Sequence, residues 1–203
     1  MTAHRVYLIA GSARDSCFSL IRYTHFVMKR AALLATAVLV SLAPAFTQNL
    51  PRQAPEQIIH LPDGKTAQVS DYKGKVVLVA FIITSCPHCQ HTVELLNGIQ
   101  TDLGKRGFQA IALAVNQDAP NRLADFYQKF KPTFPVGYCP NTDLPTFLQL
   151  TPGKRPLAPL LAFVDRKGVI QYETDGSDAS FFDDNEGEHL RAEVLKLLGP
   201  AKK

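Results

Sequence analysis

Eight consecutive residues, Val76-Val77-Leu78-Val79-Ala80-Phe81-Ile82-Ile83, carry no polar side chain. Two residues further on the chain reads Cys86-Pro87-His88-Cys89. A run rich in β-branched residues without alternation predicts a strand buried on both faces. After Cys89 the apolar residues Val93, Leu95, Leu96, Ile99 and Leu103 recur at helical spacing, and Gly104 and Gly107 bracket the exit. A CxxC between a buried strand and a helix suits thiol–disulfide exchange.

The remaining segments extend this pattern. Ile58 to Val69 is predicted to form a short hairpin turning at Asp63-Gly64, and Asp71 to Lys75 a loop. Phe108 to Val115 reads as a second buried strand, and Asn121 to Phe130 as a second helix. Phe134-Pro135-Val136 is a short extended piece, and Asp143 to Leu150 a short helix. Leu160 to Val164 is a third core strand, with Asp165 to Gly168 as the turn to its hairpin partner, Val169 to Thr174. Asp184 or Asn185 caps a last helix, Glu186 to Leu198, which ends at Gly199-Pro200. Strand–helix–strand–helix followed by a hairpin and a helix predicts an α/β fold. Its sheet is mixed, with helices on both faces and an N-terminal β-hairpin extension.

The start of the chain has a different composition. Met28-Lys29-Arg30 precedes the apolar run Ala31 to Ala43 and the small-residue exit Ala43-Pro44-Ala45. This is the pattern of a secretory signal peptide over residues 28–45. An apolar stretch this short falls below the roughly 20 residues of a membrane span, although an uncleaved anchor is the alternative. Residues 1–27 are read as a misassigned start or a leader, so Cys17 is given no role. Residues 46–57 are polar and Pro-containing, a linker to a domain over 58–199. Residues 1–45 carry five basic residues and one acid, which accounts for the whole net charge of +4. The domain itself is balanced, and nothing in it calls for nucleic acid.

Export would place the domain where disulfides persist. Beyond residue 45 only Cys86, Cys89 and Cys139 are present, too few for a stapled scaffold. Cys86 is expected at the helix N-terminus, where backbone N–H groups and the helix dipole favour a thiolate. Cys89 is expected one turn inside, to resolve a mixed disulfide. Pro87 is tolerated in the first turn, and His88 adds positive charge that favours the reduced form and a more oxidising couple. A zinc site from Cys86, His88, Cys89 and His91 would crowd its ligands onto one turn, a poor tetrahedral cage. A purely structural bridge would close a loop too short to constrain the chain much.

Asp63-Gly64, the stretch Tyr72 to Phe81 and the Cys86–Cys89 motif together resemble thioredoxin-like proteins of the TlpA/ResA type, within the broader redoxins. The resemblance covers roughly residues 56–198, and Ala158-Pro159 before Leu160 to Asp165 matches the family's cis-proline loop. It implies a thioredoxin-like fold and an exported thiol–disulfide oxidoreductase. It further implies catalytic Cys86 and Cys89, supported by Pro87, His88, Ala158 and Pro159. Pro156 is the competing candidate for the cis-proline. No cofactor or metal is implied. The expected partners are protein thiols and disulfides, with a membrane protein as electron donor or acceptor, and the chain is expected to be monomeric.

Several positions depart from the family. Ser85 stands where Trp is usual, Ala80 where thioredoxins bury an acid, Thr92 where ResA-type proteins often carry Glu, and Glu94 where many relatives have Pro. The usual proton-relay groups are therefore absent or moved; Glu94 or His91 is the candidate substitute, against the favoured reading of each as a solvated helix-surface residue. Two other uses of the same thiols compete: a peroxidase of peroxiredoxin type, with antioxidant activity, and a metal or haem-pathway chaperone. Ile83 and Val79 do not fit the peroxiredoxin pattern. Cys139 is read as a partly buried thiol, with a third redox cysteine as the alternative. Phe181-Phe182 is read as a loop anchored on the core.

Overall fold

The computed structural model describes residues 50–140, 144–150 and 156–200. The leader readings at 1–27 and 28–45 lie outside the described residues.

The apolar run forms β4 (Val76–Ile82), and every one of its residues is buried. Buried backbone needs hydrogen-bond partners along both edges. On one edge β5 (Phe108–Ala114) runs parallel, from Val76 opposite Phe108 to Ile82 opposite Ala114. On the other, β7 (Leu160–Val164) runs antiparallel, with Val77 opposite Val164 and Phe81 opposite Leu160. Beyond β7 lies its hairpin partner β8 (Val169–Asp175), and beyond β5 the parallel β6 (Val136–Tyr138). The predicted hairpin, β2 (Ile58–His60) and β3 (Thr66–Gln68), turns at Asp63-Gly64 and joins β6 through His60 opposite Tyr138. Gly137 permits this approach, because a Cβ there would stand 2.5 Å from the His60 carbonyl oxygen.

Alternate residues of β4 serve different cores, as the period of two requires. Val76, Leu78, Ala80 and Ile82 face a core closed by α1 (Pro87–Leu103), α2 (Ala119–Phe130) and α4 (Glu186–Leu198). On β5 the same face carries Ala110, Ala112 and Ala114, whose small side chains leave room for helices. Val77, Val79 and Phe81 face the second core. It is closed by a 3-10 turn at Val69–Tyr72 and by the short α3 (Leu144–Leu148), with Phe147 against Phe81. The expected mixed sheet with helices on both faces is therefore present, and α4 has the predicted limits.

Three details differ. Within the stretch read as a linker, β1 (Arg52–Gln53) pairs with Ile170 and Val169 of β8. Arg52 bonds Glu173, and the Ala54 N–H donates to the Gly168 carbonyl. Two paired residues carry no periodicity that a sequence could display. Helix α2 begins two residues earlier than expected, since Pro120 fits the first turn. The extended piece expected at 134–136 becomes a strand only at Val136–Tyr138.

Leu96 is fully buried between α1 and the sheet. Leu96→Ala is expected to cost about 2–5 kcal/mol in equilibrium denaturation, against under ~0.5 kcal/mol for a change at exposed Glu94.

Candidate active site

At the end of β4 the chain leaves the sheet through Ile83, Thr84 and Ser85. Thr84 is buried, and its polar groups are met from two sides. Its N–H donates to Asn116 Oδ1 at 3.0 Å and Asn116 Nδ2 donates to its hydroxyl at 2.9 Å. Gln90 Nε2 donates to its carbonyl at 2.8 Å. The turn that delivers Cys86 is thus tied to the end of β5 and to α1.

Cys86 is the N-cap of α1, with extended backbone (φ −79°, ψ 119°), and Pro87 occupies the first turn. The Cys89 N–H donates to Cys86 Sγ at 3.4 Å, so one otherwise orphaned helix donor points at this sulfur. Cys86 is partly exposed, whereas Cys89 is completely buried. Burial pushes the Cys89 thiol up to about 12, and the neighbouring Cys86 adds to the rise; the Ile83 N–H, 3.5 Å from Cys89 Sγ, opposes it. The two sulfurs therefore differ in access, one partly exposed and one buried and held as a thiol.

The register of β7 on β4 brings Ala158 and Pro159 beside this turn. The Ala158–Pro159 bond is cis, and Ala158 O lies 4.0 Å from Cys86 Sγ. Gly176 follows β8 and lets the loop lie close: its N–H donates to Leu157 O at 2.8 Å, and a Cβ there would stand 2.9 Å from Ala158 O. Pro159 is buried, while Leu157 is 57% and Ile83 36% exposed.

The Redoxin family model matches residues 40–188. The chain belongs to the Redoxin family. It is similar to thiol-disulfide oxidoreductase ResA of Oceanobacillus iheyensis, 24% identical over 123 residues, 60% of each chain. ResA of Geobacillus thermodenitrificans is 28% identical over 83 residues, 41% of this chain and 47% of the relative. The match spans less than two thirds of either relative's length. Among solved structures, a thiol:disulfide interchange protein of the thioredoxin family from Chlorobium tepidum aligns with a TM-score of 0.62 at 23% identity. That alignment covers 74% of this chain and 99% of the other. The likeness shows a thioredoxin-like fold.

In this redoxin the predicted residues Cys86, Pro87, His88, Cys89, Ala158 and Pro159 come together at one end of β4. Cys139 does not join them. It is buried in the second core, across the sheet from Cys86 and Cys89. His91 and Glu94 are exposed on α1, as the surface reading of each expected, so neither stands in for the missing acid. The buried carboxylate is Glu186, in the first turn of α4 and 3% exposed. Thr92 Oγ1 donates to Glu186 Oε1 at 2.6 Å, and His88 Nε2 stands 3.2 Å from Glu186 Oε2. His88 also meets the edge of Phe182, centroids 4.9 Å apart, while Phe181 anchors that loop on Phe163 and Tyr172. One sequence signal pointed toward Glu186. Thr92 lies on the buried stripe of α1 with Cys89 and Leu96, and a buried hydroxyl needs a partner. Among the described residues no group of three or more His, Cys, Asp or Glu side chains could hold a metal ion.

In the native, reduced protein a thiol-alkylating reagent at neutral pH should modify Cys86 and spare Cys89 until the chain is denatured. Equal labelling by mass spectrometry would contradict the asymmetry.

Proposed function

We propose that this redoxin is a thiol–disulfide oxidoreductase that exchanges a disulfide with proteins outside the cytoplasm through Cys86 and Cys89. The observation that carries the reading is the pairing of a partly exposed thiol at a helix N-terminus with a fully buried one. In the reducing direction the Cys86 thiolate attacks a substrate disulfide. A bond forms from Cys86 Sγ to one substrate sulfur, and the other leaves as a thiolate. Cys89 then loses its proton and attacks Cys86 Sγ, closing the Cys86–Cys89 bond and releasing the second substrate sulfur. The substrate gains two electrons, the pair loses two, and the two cysteine protons are matched by two on the product thiols. Oxidation of a dithiol substrate is the same sequence reversed.

The raised Cys89 thiol keeps Cys89 from attacking the substrate disulfide in place of Cys86, because only the thiolate is a nucleophile. The exposed Ile83 and Leu157 flank the site, so a partner is expected to present apolar residues beside its cysteine. The Ala158 carbonyl, next to Cys86 Sγ, is placed to meet that partner's backbone. Export is supported by the basic–apolar–small pattern of residues 28–45. No helix among the described residues is long and apolar enough to cross a membrane.

A Cys89→Ser variant cannot complete the second step. Expressed in a cell, it should accumulate mixed disulfides through Cys86 that a reductant releases, with partners in the extracytoplasmic fraction. The Cys86→Ser variant should form none and should reduce insulin no faster than buffer. Adducts that survive Cys86→Ser, or partners confined to the cytoplasm, would contradict the proposal.

A further inference from the structure

Pro-His between two cysteines favours the thiolate, and on its own it points to a strongly oxidising couple. The surroundings of His88 change that expectation. We propose that Glu186 is the built-in counter-charge of His88 and holds the Cys86–Cys89 couple more reducing than its Cys-Pro-His-Cys sequence implies. This inference rests on the exchange reading above and concerns the setting of its potential.

Both oxygens of Glu186 are committed to α1, one to Thr92 and one to His88. Those residues bracket Cys89, one before it and three after, so all three share a single helical turn of about 5.4 Å. A carboxylate is tolerated here because it sits in the first turn of α4, where the helix N-terminus favours negative charge. Among the described residues its only ion-pair partner is His88. The other charged groups nearby point elsewhere. His189 Nδ1 is 2.9 Å from Phe181 O and 3.6 Å from Asp183 Oδ1, and Asp183, Asp184, Glu188, His91 and Glu94 are exposed to water. Phe182 meets the imidazole edge-on, and the His88 side chain stays 35% exposed.

The sign follows from charge. A protonated His88 beside Glu186 makes a neutral pair, and a neutral His88 leaves the carboxylate's charge. In both states the site is one charge more negative than His88 alone would make it. The reduced form carries the thiolate and the oxidised form does not, so added negative charge disfavours the reduced form. Glu186 therefore lowers the potential, and removing it raises it.

The test is the equilibrium of the full chain with glutathione buffers. Glu186→Gln keeps the side-chain shape and should shift the constant toward the dithiol by about tenfold, ~30 mV more oxidising. That is the size expected of one charge within about 10 Å in a half-buried site. In buffer acidic enough to protonate His88, His88→Gln leaves the carboxylate uncompensated and should shift it oppositely. The double variant should return close to the native value. Opposite single shifts are a result that a merely structural role would not produce, and His88→Gln carries the test if Glu186→Gln does not fold. Single shifts below twofold, or both in one direction, would overturn the inference while leaving exchange intact. A native chain that does not cycle would overturn the exchange reading and this one with it.

Discussion

The burial of β4 on both faces is the constraint on which the rest of the structure depends. Each of its larger side chains gains about 1.5–3 kcal/mol from leaving water, but only if both faces are covered. Its backbone must also be paired along both edges, which β5 and β7 supply. A strand so enclosed can release its chain only at its ends. At the carboxyl end the released turn is caught by Asn116 and Gln90, and α1 starts at once from Cys86. The antiparallel β7 begins beside the same end, so its leading Ala158-Pro159 is delivered to the sulfur of Cys86. The site is a consequence of how the central strand is closed.

Within that frame the two thiols are made unequal by a separation of three residues on one helix. Cys86 caps the helix and receives its N–H, while Cys89 turns inward under the sheet. Burial raises the inner thiol, while the outer one stays within reach of a partner. In the proposed exchange, the order of events follows position along α1. Glu186 adds a second layer from a distant part of the sequence, reaching His88 and Thr92 from α4.

The legible parts of the fold are those whose signals are local. The apolar runs gave β4, β5 and β7, the helical spacing gave α1, and the Asp63-Gly64 turn gave the first hairpin. Pro159 was legible through the family resemblance, in which Ala158-Pro159 before Leu160 to Asp165 matches the cis-proline loop. What stayed hidden depends on tertiary packing. Arg52–Gln53 becomes a strand only because β8 has an open edge and Glu173 waits for Arg52. Glu186 reads as an ordinary first-turn acid of a helix, and only the docking of α4 on α1 turns it toward the site. His91 and Glu94 were closer in sequence, but the helix turns them to water.

The central claim is that Cys86 and Cys89 form one reversible dithiol–disulfide couple. It is tested most directly by equilibrating the chain across a series of thiol–disulfide buffers, quenching, and reading the state of each cysteine by mass. The structure predicts that Cys86 and Cys89 lose their thiols together in a single two-electron transition, ~30 mV per decade, with Cys139 unchanged. A bond that cannot be opened and closed, or one that joins Cys139 to either partner, would contradict it.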